Sequence, residues 1–115
     1  MVINMNEFMN NMSVILPSYK PDEKLLAVLE GLTGKGFRDV IIVNDGSGSD
    51  FDTLFEKAGA FPNVTVLTHP ENRGKGCALK TAFSYCMENR PSCTGVITVD
   101  GDNQHHTDDI YACCL

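Results

Sequence analysis

The chain has 115 residues, about the size of one small domain. Apolar residues make up 43% of it and charged residues 21%, enough apolar side chain to bury a core, which excludes a disordered chain. Nine Lys and Arg against fifteen Asp and Glu leave a net charge of −6, and no basic run occurs, so non-specific binding to nucleic acid or to an anionic membrane surface is excluded. No run of roughly 18 apolar residues, the length a bilayer span needs, is present.

Residues 1–12, MVINMNEFMNNM, put Asn and Glu where a signal peptide needs a continuous apolar stretch, and they read as a mobile leader in front of a domain covering 13–115. Met5, Met9 or Met12 are alternative starts. The first β-branched run is Ser13–Pro17. Pro21-Asp22-Glu23 then opens a helix whose apolar positions are Leu25, Leu26, Val28, Leu29 and Leu32, with Gly34 and Gly36 as a stop. A second run, Asp39–Asn44, is nearly continuous in Val and Ile, as suits a strand covered on both faces.

Ser49 and Asp50 are cap candidates for a second helix, in which Phe51, Leu54, Phe55 and Ala58 recur at helical spacing. The run Asn63–Thr68 predicts a third strand. Ala78, Leu79, Ala82, Phe83 and Cys86 predict a third helix, which ends before Pro91, and Thr94–Asp100 predicts a fourth strand. Thr107, Asp108 and Asp109 have the composition of one further helix start. The order β-α-β-α-β-α-β predicts an α/β fold of four mainly parallel strands with flanking helices. A doubly wound fold that stops inside a helix is expected to be the N-terminal part of something longer.

The five cysteines are odd in number and contain no CxxC pair, in keeping with a reducing compartment. The expected location is the cytoplasm, or the cytoplasmic face of a membrane for a longer parent protein. Cys77 and Cys86 fall within the third helix and are read as small buried hydrophobes. The vicinal Cys113 and Cys114 are assigned no function.

Ligands of open α/β sheets bind outside the carboxyl ends of the strands, and the unusual residues of this chain fall there. Strand four leads into Asp100-Gly101-Asp102-Asn103-Gln104. Two carboxylates two apart, with an amide oxygen following, are hard oxygen donors that suit Mg²⁺ or Mn²⁺ rather than zinc. Such an ion would neutralise a diphosphate and stabilise it as a leaving group. An Asx turn capping the next helix is the structural alternative.

Asn44-Asp45-Gly46-Ser47 ends strand two. A carboxylate there is poised to accept hydrogen bonds from ribose hydroxyls or a base edge, or the segment is a plain turn. It is not an EF-hand loop, because Asp50 stands where that loop needs Gly. Asn72-Arg73-Gly74-Lys75-Gly76 opens the third helix with two glycines and two cations, which favours an anion or a base edge, or is a solvated helix start. It is not a P-loop, since Leu79 precedes Lys80-Thr81. Tyr19, after strand one, either stacks on a base or covers the first helix.

The segments VILPSYKPDEKL, VIIVNDGSGSD, NRGKGCALKTAF and GVITVDGDNQH, in this order and in register from Ser13 to about Asp109, resemble family 2 glycosyltransferases of the GT-A fold. The branch resembled is that of dolichyl-phosphate mannosyltransferase and bacterial polyprenyl-phosphate relatives, in which an aspartate pair is followed by Gln-His. The resemblance implies a Rossmann-like, nucleotide-sugar-binding half of a GT-A domain. It implies that Pro17 and Tyr19 flank the nucleobase, that Asp45 contacts the nucleoside and that Asn72 to Lys75 border the base. It also implies that Asp100, Asp102 and Gln104 hold Mg²⁺ or Mn²⁺ on the diphosphate. Lys20-Pro21 departs from the Asn-Glu that follows the Tyr in relatives closest to the mannosyltransferase.

The expected activity is metal-dependent sugar transfer from a UDP- or GDP-linked donor to an acceptor, with polyprenyl phosphate as one candidate, and membrane association of a longer parent through downstream segments. In the resembled family the acceptor contacts and the general base lie beyond the aspartate motif, so no residue here is named as catalytic. Two alternatives stand beside this reading. One is a truncated nucleotide-binding module without activity. The other is a haloacid dehalogenase-like phosphatase with Asp100 as nucleophile, which would need its aspartate pair after the first strand.

Overall fold

In the computed structural model, which describes residues 12–90 and 95–99 and the backbone of 111–114, the β-branched runs become the inner strands of one sheet. β1 (Met12–Ser18) and β2 (Val40–Asp45) are buried at every residue. Both of their faces are covered, which is why neither alternates apolar with polar side chains. β3 (Val64–His69) pairs with β2, and β4 (Gly95–Thr98) pairs with the other edge of β1, all in parallel. β5 (Tyr111–Cys114) adds to β4 in antiparallel, so the order is β3-β2-β1-β4-β5.

The four parallel strands match the expectation, and two differences follow from pairing. The helix expected to start at Thr107 is not what Tyr111–Cys114 forms: these residues are a strand. The edge of β4 offers unpaired backbone groups, and a sheet partner for Tyr-Ala-Cys-Cys outweighs the weak helical signal of the Thr-Asp-Asp before it. β2 and β3 also run one residue further than expected, to Asp45 and His69, which face each other in register. At the other end, β1 starts at Met12, which is buried and paired with Gly95, rather than at Ser13.

Three helices cover the sheet. α1 (Lys24–Gly34) opens with the Asp22 carboxylate accepting from the Lys24 N–H at 2.9 Å. It closes with Phe37 N–H donating to Leu32 C=O and Gly36 N–H to Thr33 C=O, at 3.2 and 3.1 Å. Gly36 has φ 95°, and Phe37 and Leu32 are both buried, the hydrophobic contact that accompanies this kind of stop. α2 (Asp52–Gly59) follows a short 3₁₀ turn, Ser49–Phe51. Ser49 and Asp50 therefore lie inside that turn, and neither caps the helix through its side chain. α3 (Lys75–Asn89) starts after Gly74.

Strand order decides which helix lies on which face. The chain moves outward from β1 to β2 to β3, then crosses back over both to place β4 beyond β1. With right-handed crossovers, this reversal puts α3 on the face opposite α1 and α2. One core accordingly joins Val14, Leu16, Val40 and Ile42 to Leu25, Leu29 and Leu32 of α1 and Phe55 of α2. The other joins Ile15, Ile41, Val43 and Val96 to Ala78, Ala82 and Cys86 of α3. Cys86 is buried as expected, but Cys77 is exposed, because it falls on the outer side of α3.

Pro17 sits in a central strand, where a missing N–H is normally costly. Val14 N–H donates to Asp39 C=O on the β2 side, and Ile15 C=O accepts from Val99 N–H on the β4 side. Pro17, two residues after Ile15, therefore turns its nitrogen toward the β4 side, beyond the end of β4 at Thr98. At the opposite end of the sheet, Asp39 accepts from Ser13 Oγ at 2.5 Å and from Arg90 Nε at 3.0 Å, tying the end of α3 to β1 and β2. The Asp39 carboxylate raises the pKa of the Arg90 guanidinium further above its ordinary value.

Ala78 and Ala82 are fully buried and let α3 lie close on the sheet. Ala82→Leu is expected to destabilise the chain by about 1–3 kcal/mol through overpacking. Urea denaturation followed by circular dichroism checks this, with the exposed Lys80→Leu, expected to change little, as control.

Candidate functional site

β1 and β2 end beside each other, and the loop after β3 folds over them. Pro17, Ser18 and Tyr19 from β1, Asp45 from β2, and Asn72 and Lys75 from the segment entering α3 line a cleft of about 200 Å³. This cleft brings together Pro17, Tyr19, Asp45, Asn72 and Lys75, whereas Arg73, between the last two, does not line it. Asp100, Asp102 and Gln104 lie outside the described residues; Asp100 follows Val99, whose N–H is bonded to Ile15 C=O. Among the described residues, no three His, Cys, Asp or Glu side chains gather as a metal site. Tyr19 is 42% exposed at the cleft, with Lys20 Nζ 5.3 Å from its ring centre.

Asp45 organises the cleft. Its Oδ1 accepts from Arg73 N–H at 2.9 Å and lies 2.8 Å from His69 Nδ1. Its Oδ2 accepts from Gly74 N–H at 2.9 Å and from Asn72 Nδ2 at 3.1 Å. A carboxylate has about four acceptor positions, and the protein supplies a donor to each. Burial raises the pKa of this carboxyl, but the His69 hydrogen bond and the Arg73 and Gly74 N–H groups outweigh it, so the group is held below its ordinary 3.8. The anion that the start of α3 was expected to favour is, in part, the protein's own Asp45.

The neighbours of Asp45 extend the network. Asn44 Oδ1 accepts from Ser47 N–H at 3.1 Å, and Ser47 Oγ accepts from Lys20 N–H at 2.9 Å, which links the exits of β1 and β2. Lys20 holds φ 47°, an unusual conformation for a side-chain-bearing residue. Gly46, at φ 67°, lies so close to the 71–72 backbone that a Cβ would stand 2.1 Å from the Glu71 carbonyl carbon. Ser18 Oγ is buried in the cleft wall and has no hydrogen-bond partner among the described residues.

His69 and Thr81 have no assigned role in the sequence reading, yet the structure builds them into the site. His69 is buried, and its Nε2 lies 2.7 Å from Thr81 Oγ1 on α3. Because the Asp45 carboxylate only accepts, Nδ1 of His69 carries the proton between them. A polar His closing an apolar strand, level with the Asp that closes its neighbour, is the signal for this pair. It becomes visible only once the register of β2 and β3 is known.

A doubly wound sheet with a polar cleft at the carboxyl ends of its strands defines an open α/β domain that takes its ligand at the strand ends. Residues 13–113 match the family described as Glycosyl transferase family 2, and the chain belongs to that family. It is 31% identical over 97 residues to the uncharacterized protein MJ1222 of Methanocaldococcus jannaschii, covering 84% of this chain and 37% of that protein. It is 28% identical over 101 residues to a dolichyl-phosphate beta-glucosyltransferase, ALG5A, of Trichomonas vaginalis, covering 78% of this chain and 30% of that protein. Among solved structures, TarS 1–349 of S. aureus superposes with a TM-score of 0.64 at 25% identity, over 80% of this chain and 27% of that one. The chain thus spans about a third of the length of these relatives.

Two outcomes test the network. Asp45→Asn replaces acceptors with an amide whose hydrogens oppose the Arg73 or Gly74 N–H, and is expected to cost about 1.5–3 kcal/mol. Since the folded-state pKa of Asp45 is depressed, its contribution is fully present above the unfolded value near 3.8 and is lost as pH falls through the folded value. Denaturation of both proteins should therefore show a constant stability gap at neutral pH that narrows only below about pH 4. Gly46→Ala meets backbone that cannot move aside, and is expected to destabilise the chain by at least ~2 kcal/mol in the same assay.

Proposed function

We propose that this chain carries the donor-binding part of a glycosyltransferase that moves a sugar from a nucleoside-diphosphate sugar to an acceptor. The observation that carries the reading is the meeting of Pro17, Tyr19, Asp45, Asn72 and Lys75 in one cleft at the carboxyl ends of β1 and β2. At about 200 Å³ the cleft is smaller than the ~300 Å³ at which complete ligand pockets begin, so it suits one portion of a larger ligand, such as the nucleoside. The Tyr19 ring stacks on the base, with Pro17 beside it, and Asn72 and Lys75 border the base edge. Asp45, its acceptor positions filled by the protein's own donors, holds that border in place at the end of β2. The Ser18 hydroxyl, without a partner among the described residues, gives the ligand a further polar contact.

Asp100, Asp102 and Gln104 are proposed to hold Mg²⁺ or Mn²⁺, which fits their hard oxygen donors. The ion would neutralise the diphosphate as it leaves. The protein's own contribution is to hold the donor so that an acceptor oxygen can attack in line. A lipid phosphate such as a polyprenyl phosphate is the proposed acceptor, supported by the dolichyl-phosphate of the Trichomonas relative's name. No helix among the described residues is long and apolar enough to cross a membrane.

Calorimetric titration of the chain with UDP and GDP, with and without Mn²⁺, tests the reading. Binding is expected to need the metal, and Asp102→Ala should remove about 2–4 kcal/mol of metal-dependent affinity. Tyr19→Ala should remove about 1–2 kcal/mol from nucleotide binding and leave Mn²⁺ binding alone. Equal affinity with and without Mn²⁺ refutes the metal, and absence of nucleotide binding refutes the site.

A further inference from the structure

Two of the four donors to Asp45, Asn72 and Gly74, line the cleft, and a third, the Arg73 N–H, lies between them in the chain. The fourth, His69, comes from the neighbouring strand and does not line the cleft. The terminal torsion of an aspartate is soft, so the plane of its carboxylate is set by whatever its oxygens bind. Arg73 N–H and Gly74 N–H each reach a different oxygen, and both bonds therefore need one particular rotation of that plane. His69 is suited to fix it. The ring is buried, it is level with Asp45 across the parallel pair, and Thr81 on α3 holds its far nitrogen at 2.7 Å. Thr81 lies on the helix that Gly74 opens, so the relay runs from the body of α3 through His69 and Asp45 back to the start of α3. The close approach of Gly46 to residues 71–72 leaves the wall little room to adjust in another way.

We infer that His69 is a positioning residue: anchored by Thr81, it orients the Asp45 carboxylate and so sets the shape of the 72–74 wall and the affinity of the cleft for a nucleoside. The part concerning affinity rests on the proposed nucleotide site; the part concerning the wall does not. Two substitutions separate orientation from packing. In His69→Asn the side-chain amide nitrogen takes the place of Nδ1 and keeps the donor to Asp45, while the Thr81 anchor is lost. In His69→Gln the amide nitrogen takes the place of Nε2, which keeps contact with Thr81 and loses the donor to Asp45.

The 115-residue chain and both variants are compared by amide hydrogen exchange at Arg73 and Gly74 and by titration with UDP and GDP in the presence of Mn²⁺. His69→Gln is expected to speed exchange at both amides and to weaken nucleotide binding, each by about tenfold or more, as loss of a hydrogen bond to a charged group implies. His69→Asn, which loses the anchor but keeps the donor, should fall between the parent chain and His69→Gln, with a change of about threefold in both measurements. Equal behaviour of the two variants, or unchanged exchange in His69→Gln, overturns the inference. If the parent chain binds neither nucleotide, the proposed site fails and the exchange pattern alone decides the role of His69. Should both His69 variants fail to fold, Thr81→Val, which leaves the His69–Asp45 pair in place, must still speed exchange at Arg73 and Gly74. Unchanged exchange there overturns the inference as well.

Discussion

The Asp45 carboxylate is the constraint on which the cleft depends. A buried negative charge is costly unless its oxygens are fully hydrogen-bonded, and here donors from three places converge on it: a side chain of β3, an amide side chain of the following loop, and two backbone N–H groups at the start of α3. The charge can be satisfied only with those segments drawn together, so the same bonds that make the buried group tolerable also shape one wall of the cleft. Apolar packing could not do this as narrowly, because it is proportional to area and has no direction.

The neighbouring residues divide the remaining work. Asn44 turns the chain back through Ser47, Ser47 holds the backbone at Lys20, and Gly46 admits the backbone of residues 71 and 72 where no side chain would fit. Four successive residues at one strand end thus bind the exits of β1, β2 and β3 into one rim. Below the rim, two apolar layers hold the sheet and set the height at which those exits stand. The rim is polar and directional, the body apolar and non-directional, and the boundary between them passes through Pro17 and Asp45.

Topology explains why a cleft exists at this place. Reversal of strand order at β1 separates the crossover that covers one face from those that cover the other, and it leaves a crevice at the carboxyl ends of the strands. Pro17 suits that position, since its lost N–H points past the end of β4.

The amino-acid sequence by itself determined the α/β alternation, the continuous Val and Ile runs of the inner strands, the glycine stop of α1, and the rim segments that contain Pro17, Tyr19, Asp45, Asn72 and Lys75. These are legible because they depend on local periodicity, on turn chemistry and on the rule that strand ends carry the ligand. Strand β5 was not legible, because an antiparallel partner for β4 is chosen by an unpaired edge and not by the propensities of Tyr111–Cys114. The outward position of Cys77 was missed for a similar reason, since which side of a helix is covered depends on what packs against it. Above all, only the tertiary structure decided what Asp45 binds and gave His69 and Thr81 a role. Those contacts join residues 24 to 29 apart for Asp45 and 12 apart for the His69–Thr81 pair. They exist because the register of β2 on β3 sets Asp45 against His69, and because the crossover into α3 brings its first turn back over them. Hydrogen bonds are short and directional, so no local pattern encodes such a pairing until the backbone has brought its partners within about 3 Å of each other.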